Sequence, residues 1–101
     1  MDDRAALRAL LLQRSVRRGD FVLASGARSS YYIDARRTTM SGEGQRLIGR
    51  LGLEALRAAG WEPQAVGGLT LGADPVAYAI AHAAAASGSA IDAFTVRKEP
   101  K

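Results

Sequence analysis

The sequence has no cysteine among its 101 residues, which excludes disulfides and thiolate metal sites and suits a reducing compartment. It also lacks any run approaching the roughly 18 apolar residues that a membrane span requires. The basic, Asp-containing start does not have the form of a signal peptide. There are no internal repeats, and lysine is scarce: only Lys98 and Lys101 occur, against 12 arginines. These absences point to a soluble, cytoplasmic chain that folds through its core alone.

That core has material to work with, since 48% of the residues are apolar, far more than a disordered tail carries. The length suits one domain, burying roughly 60–65% of the surface that the unfolded chain exposes. The net charge of +4 admits nucleic acid, a membrane surface or a phosphorylated small molecule as partner. The arginines are scattered over helices and loops without an aromatic-interleaved basic stripe, so nucleic acid is not the expected partner. Arg97, Lys98 and Lys101, with Glu99 among them, form a local cationic cluster.

Periodicity and punctuation predict an α/β order. A first helix starts at Asp2-Asp3, places Leu7, Leu10 and Leu11 on one face, and ends through Arg14, Arg17 and Arg18 at a Gly19 cap. Asp20–Ser25 and Ser30–Ala35 are expected as a hairpin around Gly26-Ala27-Arg28-Ser29. Ser41-Gly42-Glu43-Gly44 opens a second helix to about Ala59, with Leu47, Ile48, Leu51, Ala55 and Ala58 as its buried stripe and Gly60 as its stop. Ala65–Leu69 follows as an apolar strand. Asp74-Pro75 then starts a third helix, with Asp74 expected as N-cap, and the helix ends at Ser87-Gly88. Ile91–Val96 is the last strand.

Residues 65–96 thus have the size of a βαβ crossover with parallel strands. A parallel sheet needs more than two strands and helices on both faces, so the pattern reads as an incomplete sheet. The whole is expected to be a single incomplete domain over 1–101, with 1–40 forming the helix and hairpin and 41–101 starting the core.

In open α/β sheets, ligands bind beyond the carboxyl ends of the strands. Gly67-Gly68-Leu69-Thr70-Leu71-Gly72-Ala73-Asp74 leads from a strand into a helix start, where glycines admit a ligand and backbone N–H groups favour phosphate oxygens. Asp74 itself opposes an anion lying on the helix end. The cluster from Arg97 onward follows the second strand and is expected at the same edge of the sheet. A diphosphate needs both kinds of group, cations and backbone donors.

Gly19-Asp20-Phe21, Leu23, Ser25-Gly26, Ser29 and Tyr31-Tyr32-Ile33-Asp34 resemble the amino-terminal hairpin of orotate phosphoribosyltransferases. The resemblance continues through Val66-Gly67-Gly68-Leu69-Thr70-Leu71-Gly72-Ala73-Asp74-Pro75 and ends in Val96-Arg97-Lys98-Glu99-Pro100-Lys101, in family order and spacing. It implies part of a type I phosphoribosyltransferase fold. The implied enzyme is a pentosyl-transferring glycosyltransferase of pyrimidine biosynthesis. Such enzymes join orotate to phosphoribosyl diphosphate (PRPP), with Mg²⁺, to give orotidine 5′-phosphate and diphosphate.

Carried over by the resemblance, Tyr32 and Ile33 line the orotate pocket, and Leu71 and Gly72 lie beside the diphosphate as backbone contacts. Arg97, Lys98 and Lys101 are diphosphate ligands, and Lys101 is the catalytic residue at the start of a mobile loop. No residue is assigned to metal. The cations of the family reach the partner subunit's site, so a homodimer is implied. Ala24 and Leu71 stand where many members carry lysine, although the Leu71 form with Gly-Ala-Asp-Pro is similar to one branch of the family. The family's ribose 5-phosphate cradle follows later in its sequence, so this chain alone is expected to be inactive. The alternative is a non-catalytic phosphoribosyltransferase-like regulator that binds nucleic acid. His82, among alanines, is read as a packed or surface residue, Trp61 as covering a helix end, and Arg36 and Arg37 as surface residues. Tyr31 and Tyr32 alternate, one toward core and one toward ligand.

Overall fold

The computed structural model describes residues 2–100. The order is α1 (Asp3–Arg14), β1 (Val16–Val22), β2 (Arg28–Ile33), α2 (Arg36–Thr39), α3 (Gly42–Ala58), β3 (Ala65–Leu69), α4 (Asp74–Ala86) and β4 (Asp92–Val96). β1 and β2 form an antiparallel hairpin, and β3 and β4 form a separate parallel pair. This is the expected α/β order, with the crossover α4 packed on β3 and β4 and α3 packed on α4. The hairpin packs against α1, which lies on α3. With extents of 46 × 43 × 24 Å the chain is a slab. Its radius of gyration of 15.4 Å exceeds the about 13 Å of a closed domain this long.

The core lies between α3 and α4, where Leu47, Leu53, Ala77, Ala79 and Ala84 are buried. Small residues let the two helices approach closely: a Cβ on Gly49 would stand 2.4 Å from the Ala79 carbonyl oxygen. The expected stripe is corrected at its end. Ala55 and Ala58 are exposed and Leu53 is buried instead, because α4 crosses α3 nearer its middle. Ser41 caps α3 by accepting from the Gly44 N–H at 3.0 Å. The Arg46 guanidinium, hydrogen-bonded to Glu43, holds that carboxyl below its ordinary range. At the other end Gly60 takes φ +74°, and the Trp61 N–H closes the helix by donating to the Leu56 carbonyl at 3.0 Å. The Trp61 ring does not cover the helix end as expected; it is 68% exposed.

The first helix stops at Arg14, not at Gly19, and Gly19 lies within β1. A buried contact decides this. Ser15 and Thr38 are both fully buried and share a hydrogen bond between hydroxyls at 2.6 Å, which ties the end of α1 to α2 and turns the chain into β1. β1 therefore begins at Val16, and Arg17 and Arg18 pair with Tyr32 and Tyr31. The ladder has a bulge between Arg18 and Phe21. β1 begins four residues earlier than expected and ends three earlier, β2 lies two residues earlier at both ends, and Gly26 takes φ +86° in the turn. The four-residue helix α2 is an addition to the expected order.

Replacing Thr38 by valine is expected to leave the Ser15 hydroxyl buried without its partner, at a cost of about 1–3 kcal/mol. Thermal unfolding of Thr38→Val, alone and with Ser15→Ala, checks this. The double variant recovers part of the loss.

Candidate functional site

β3 and β4 run parallel with Leu69 opposite Val96, so both chains leave the sheet at the same edge. The Thr70 N–H donates to the Val96 carbonyl at 2.9 Å and extends the pairing one residue beyond the strand. From there the chain turns through Leu71, Gly72 and Ala73 into α4. Ala73 N–H donates to Leu69 O at 3.1 Å and Asp74 N–H to Leu71 O at 3.2 Å. The Thr70–Leu71 peptide is cis. Leu71 and Gly72 are exposed, and among the described residues their N–H groups donate to no protein acceptor. A Cβ on Gly72 would meet nothing within 4 Å, so its surroundings are open.

Asp74 does not act as the expected N-cap. Ala73 holds that position and makes no side-chain cap. The Asp74 carboxylate, 8% exposed, turns back toward the strands. It accepts from Thr70 Oγ1 at 2.6 Å and from Thr95 Oγ1 at 3.1 Å. Two hydroxyl donors outcompete the helix's own N–H groups because they satisfy both carboxylate oxygens at once in a part-buried place. The positive end of the α4 dipole is thus left facing the loop without a side-chain cap.

Arg97 and Lys98 follow β4 directly and are exposed, and neither is ion-paired among the described residues. The structure therefore brings Leu71, Gly72, Arg97 and Lys98 to one edge. Lys101 lies outside the described residues. Tyr32 and Ile33 are on the hairpin, whose packing is with α1, whereas the loop rests on β3, β4 and α4. Tyr31 and Tyr32 are both about half exposed, and Tyr32 packs on Phe21 with ring centroids 5.9 Å apart. Neither tyrosine enters a core, contrary to the expectation for one of them. Arg36 and Arg37 are exposed, each 3.7 Å from the Asp34 carboxylate. His82 is exposed on α4, beside a groove against α3. The clamp of Thr70, Asp74 and Thr95 was not legible beforehand. Its only local trace is the spacing of four between Thr70 and Asp74.

No protein-family model matches the chain. Curated relatives do. The orotate phosphoribosyltransferase of Corynebacterium glutamicum (strain R) is 50% identical over 101 residues, the whole of this chain and 52% of the relative. That of Mycobacterium tuberculosis H37Rv is 50% identical over 99 residues, 98% of this chain and 52% of the relative. The crystal structure of the latter enzyme with Fe(III) dicitrate superposes with a TM-score of 0.85, covering 99% of this chain and 54% of that one. The same enzyme with 5-phospho-α-D-ribosyl 1-diphosphate gives 0.81, at 50% identity over 96% of this chain and 54% of that one. The chain spans about half the length of the curated relatives it matches.

Proposed function

We propose, from the premise that this chain corresponds over its whole length to the amino-terminal portion of orotate phosphoribosyltransferases, that it grips the diphosphate of PRPP for transfer of the phosphoribosyl group to orotate. The observation that carries this reading is the shared edge. The Thr70 N–H to Val96 carbonyl bond brings the chain that continues into Leu71 and Gly72, whose N–H groups are free among the described residues, to the same end of the strand pair as the chain that continues into Arg97 and Lys98. In the transfer, an orotate ring nitrogen gives up its proton to water or to the departing diphosphate and bonds to the anomeric carbon while the carbon–oxygen bond to diphosphate breaks. The electron pair leaves with the diphosphate. Charge therefore grows on the leaving oxygens, where backbone donors and cations stabilise it most. Arg97 offers a planar fork for two oxygens, and Lys98 a point charge.

Lys101 is proposed as the third cation and the catalytic one, and Tyr32 and Ile33 as the orotate-side contacts. Magnesium finds no cage of its own among the described residues, where no three His, Cys, Asp or Glu side chains cluster. The carboxylate nearest the loop, Asp74, is occupied by hydroxyls. The ion, which offsets phosphate charge, is proposed to be held chiefly through the oxygens of the diphosphate. A homodimer and a cytoplasmic setting complete the reading. No helix among the described residues is long and apolar enough to cross a membrane.

Isothermal titration of the chain with inorganic diphosphate and magnesium tests the proposal. Binding is expected, weakening as salt is raised, with no orotidine 5′-phosphate formed from orotate and PRPP by this chain alone. A chain that ignores diphosphate refutes the assignment of the edge.

A further inference from the structure

We infer that Asp74 is a positioning residue for the diphosphate site, holding the loop at Thr70 and the strand end at Thr95 in one register. The inference rests on the diphosphate reading above. A carboxylate this buried is rarely found without a cation, yet no ion pair reaches Asp74 among the described residues. Its two oxygens are divided instead between hydroxyls 25 positions apart, Thr70 Oγ1 at 2.6 Å and Thr95 Oγ1 at 3.1 Å. Each hydroxyl belongs to a residue that flanks a ligand-facing group: Thr70 precedes Leu71 and Gly72, and Thr95 lies two residues before Arg97.

The Tyr78 hydroxyl, one turn along α4, lies 3.4 Å from Thr95 Oγ1 and braces the same point. Packing alone does not call for this arrangement, because an apolar side chain at 74 would fill the junction without a buried charge. What the carboxylate adds is direction. Charge-assisted hydrogen bonds add a side-chain tie between Thr70 and Thr95 to the backbone bond from Thr70 to Val96, and the stiffness of that junction matters for a ligand bearing two phosphates.

The clamp thus selects for the span of the ligand. A single phosphate needs only the loop or only the tail, whereas a diphosphate needs both at their set separation. Thr95→Val removes one donor at nearly constant shape, and Thr95→Ser keeps it. With the full chain titrated by inorganic diphosphate and by orthophosphate, Thr95→Val is expected to lose about tenfold in diphosphate affinity, equivalent to about 1.4 kcal/mol. Its orthophosphate affinity is expected to stay near that of the wild type, and Thr95→Ser is expected to restore the diphosphate preference. Thr70→Val is read by the same ratio, so that a folding failure in one variant leaves the other to decide.

A diphosphate-to-orthophosphate ratio unchanged in the folded valine variants overturns the inference. So does an equal loss of both ligands that tracks the melting temperature. A wild-type chain that binds no diphosphate sinks the parent reading instead, so the two failures are distinct.

Discussion

Gly67→Ala is expected to lower stability by about 2–3 kcal/mol through overpacking, and the unfolding midpoint by about 10–20 °C. The cause is local. A Cβ at position 67 would stand 2.1 Å from the Phe94 carbonyl oxygen and 2.7 Å from the Phe94 ring. The oxygen belongs to the neighbouring strand, at the very residue that Gly67 faces in the ladder, so relief requires β3 and β4 to part. Since the loop and the cationic tail leave the ends of those strands, diphosphate binding falls with the fold. Gly42→Ala is the control: a Cβ there meets nothing within 4 Å, at the first position of α3. Alanine is the better helix former, so the midpoint is expected to hold or rise. Calorimetry on the two variants checks both directions, and equal melting temperatures would contradict the packing described.

Removing the Arg97 guanidinium is expected to act on the ligand and not on the fold. The side chain is exposed and has no ion pair among the described residues, so Arg97→Ala should melt as the wild type does. A charge-assisted hydrogen bond to a phosphate oxygen contributes about 1.5–3 kcal/mol, which sets an expected loss of about 10–100-fold in diphosphate affinity. Arg97→Lys is expected to recover only part, because an ammonium cannot present the two-pronged fork. Arg57 provides the contrast. Its guanidinium donates to Ser87 Oγ at 2.9 Å and Ser89 Oγ at 3.3 Å, beyond the far end of α4 from the loop. Arg57→Ala should leave diphosphate affinity unchanged at constant ionic strength. If the two alanine variants weaken binding alike, the attraction is a diffuse effect of net charge and not a site.

The parts of the fold that were legible in the sequence are those with local causes. α3 shows its cap at Ser41 and its stop at Gly60, and the crossover from Ala65 to Val96 shows two apolar strands around an alanine-rich helix. What failed depended on partners distant in sequence. The three arginines after Leu12 favour a helix that continues toward Gly19, but Ser15 is drawn to Thr38, 23 residues later, and the strand starts there. Asp-Pro is a strong helix opening, yet the hydroxyl of Thr95, 21 residues later, helps claim the carboxylate. At the site, the edge shared by Gly72 and Arg97 follows from parallel pairing alone and was foreseeable. The clamp beneath it was not, because no periodic pattern records which hydroxyl faces which carboxylate across a helix and two strands.

The β3–β4 pair has a further consequence for handling the chain. α4 shields one face, while Leu69, Phe94 and Val96 on the strands remain about half exposed, and both flanks of the pair are unmatched among the described residues. Such a ribbon is a template onto which another copy can add, so concentrated solutions are expected to self-associate through strand addition. A lysine in place of Phe94 would act as a gatekeeper there, keeping the solution clear at concentrations where the parent chain scatters light.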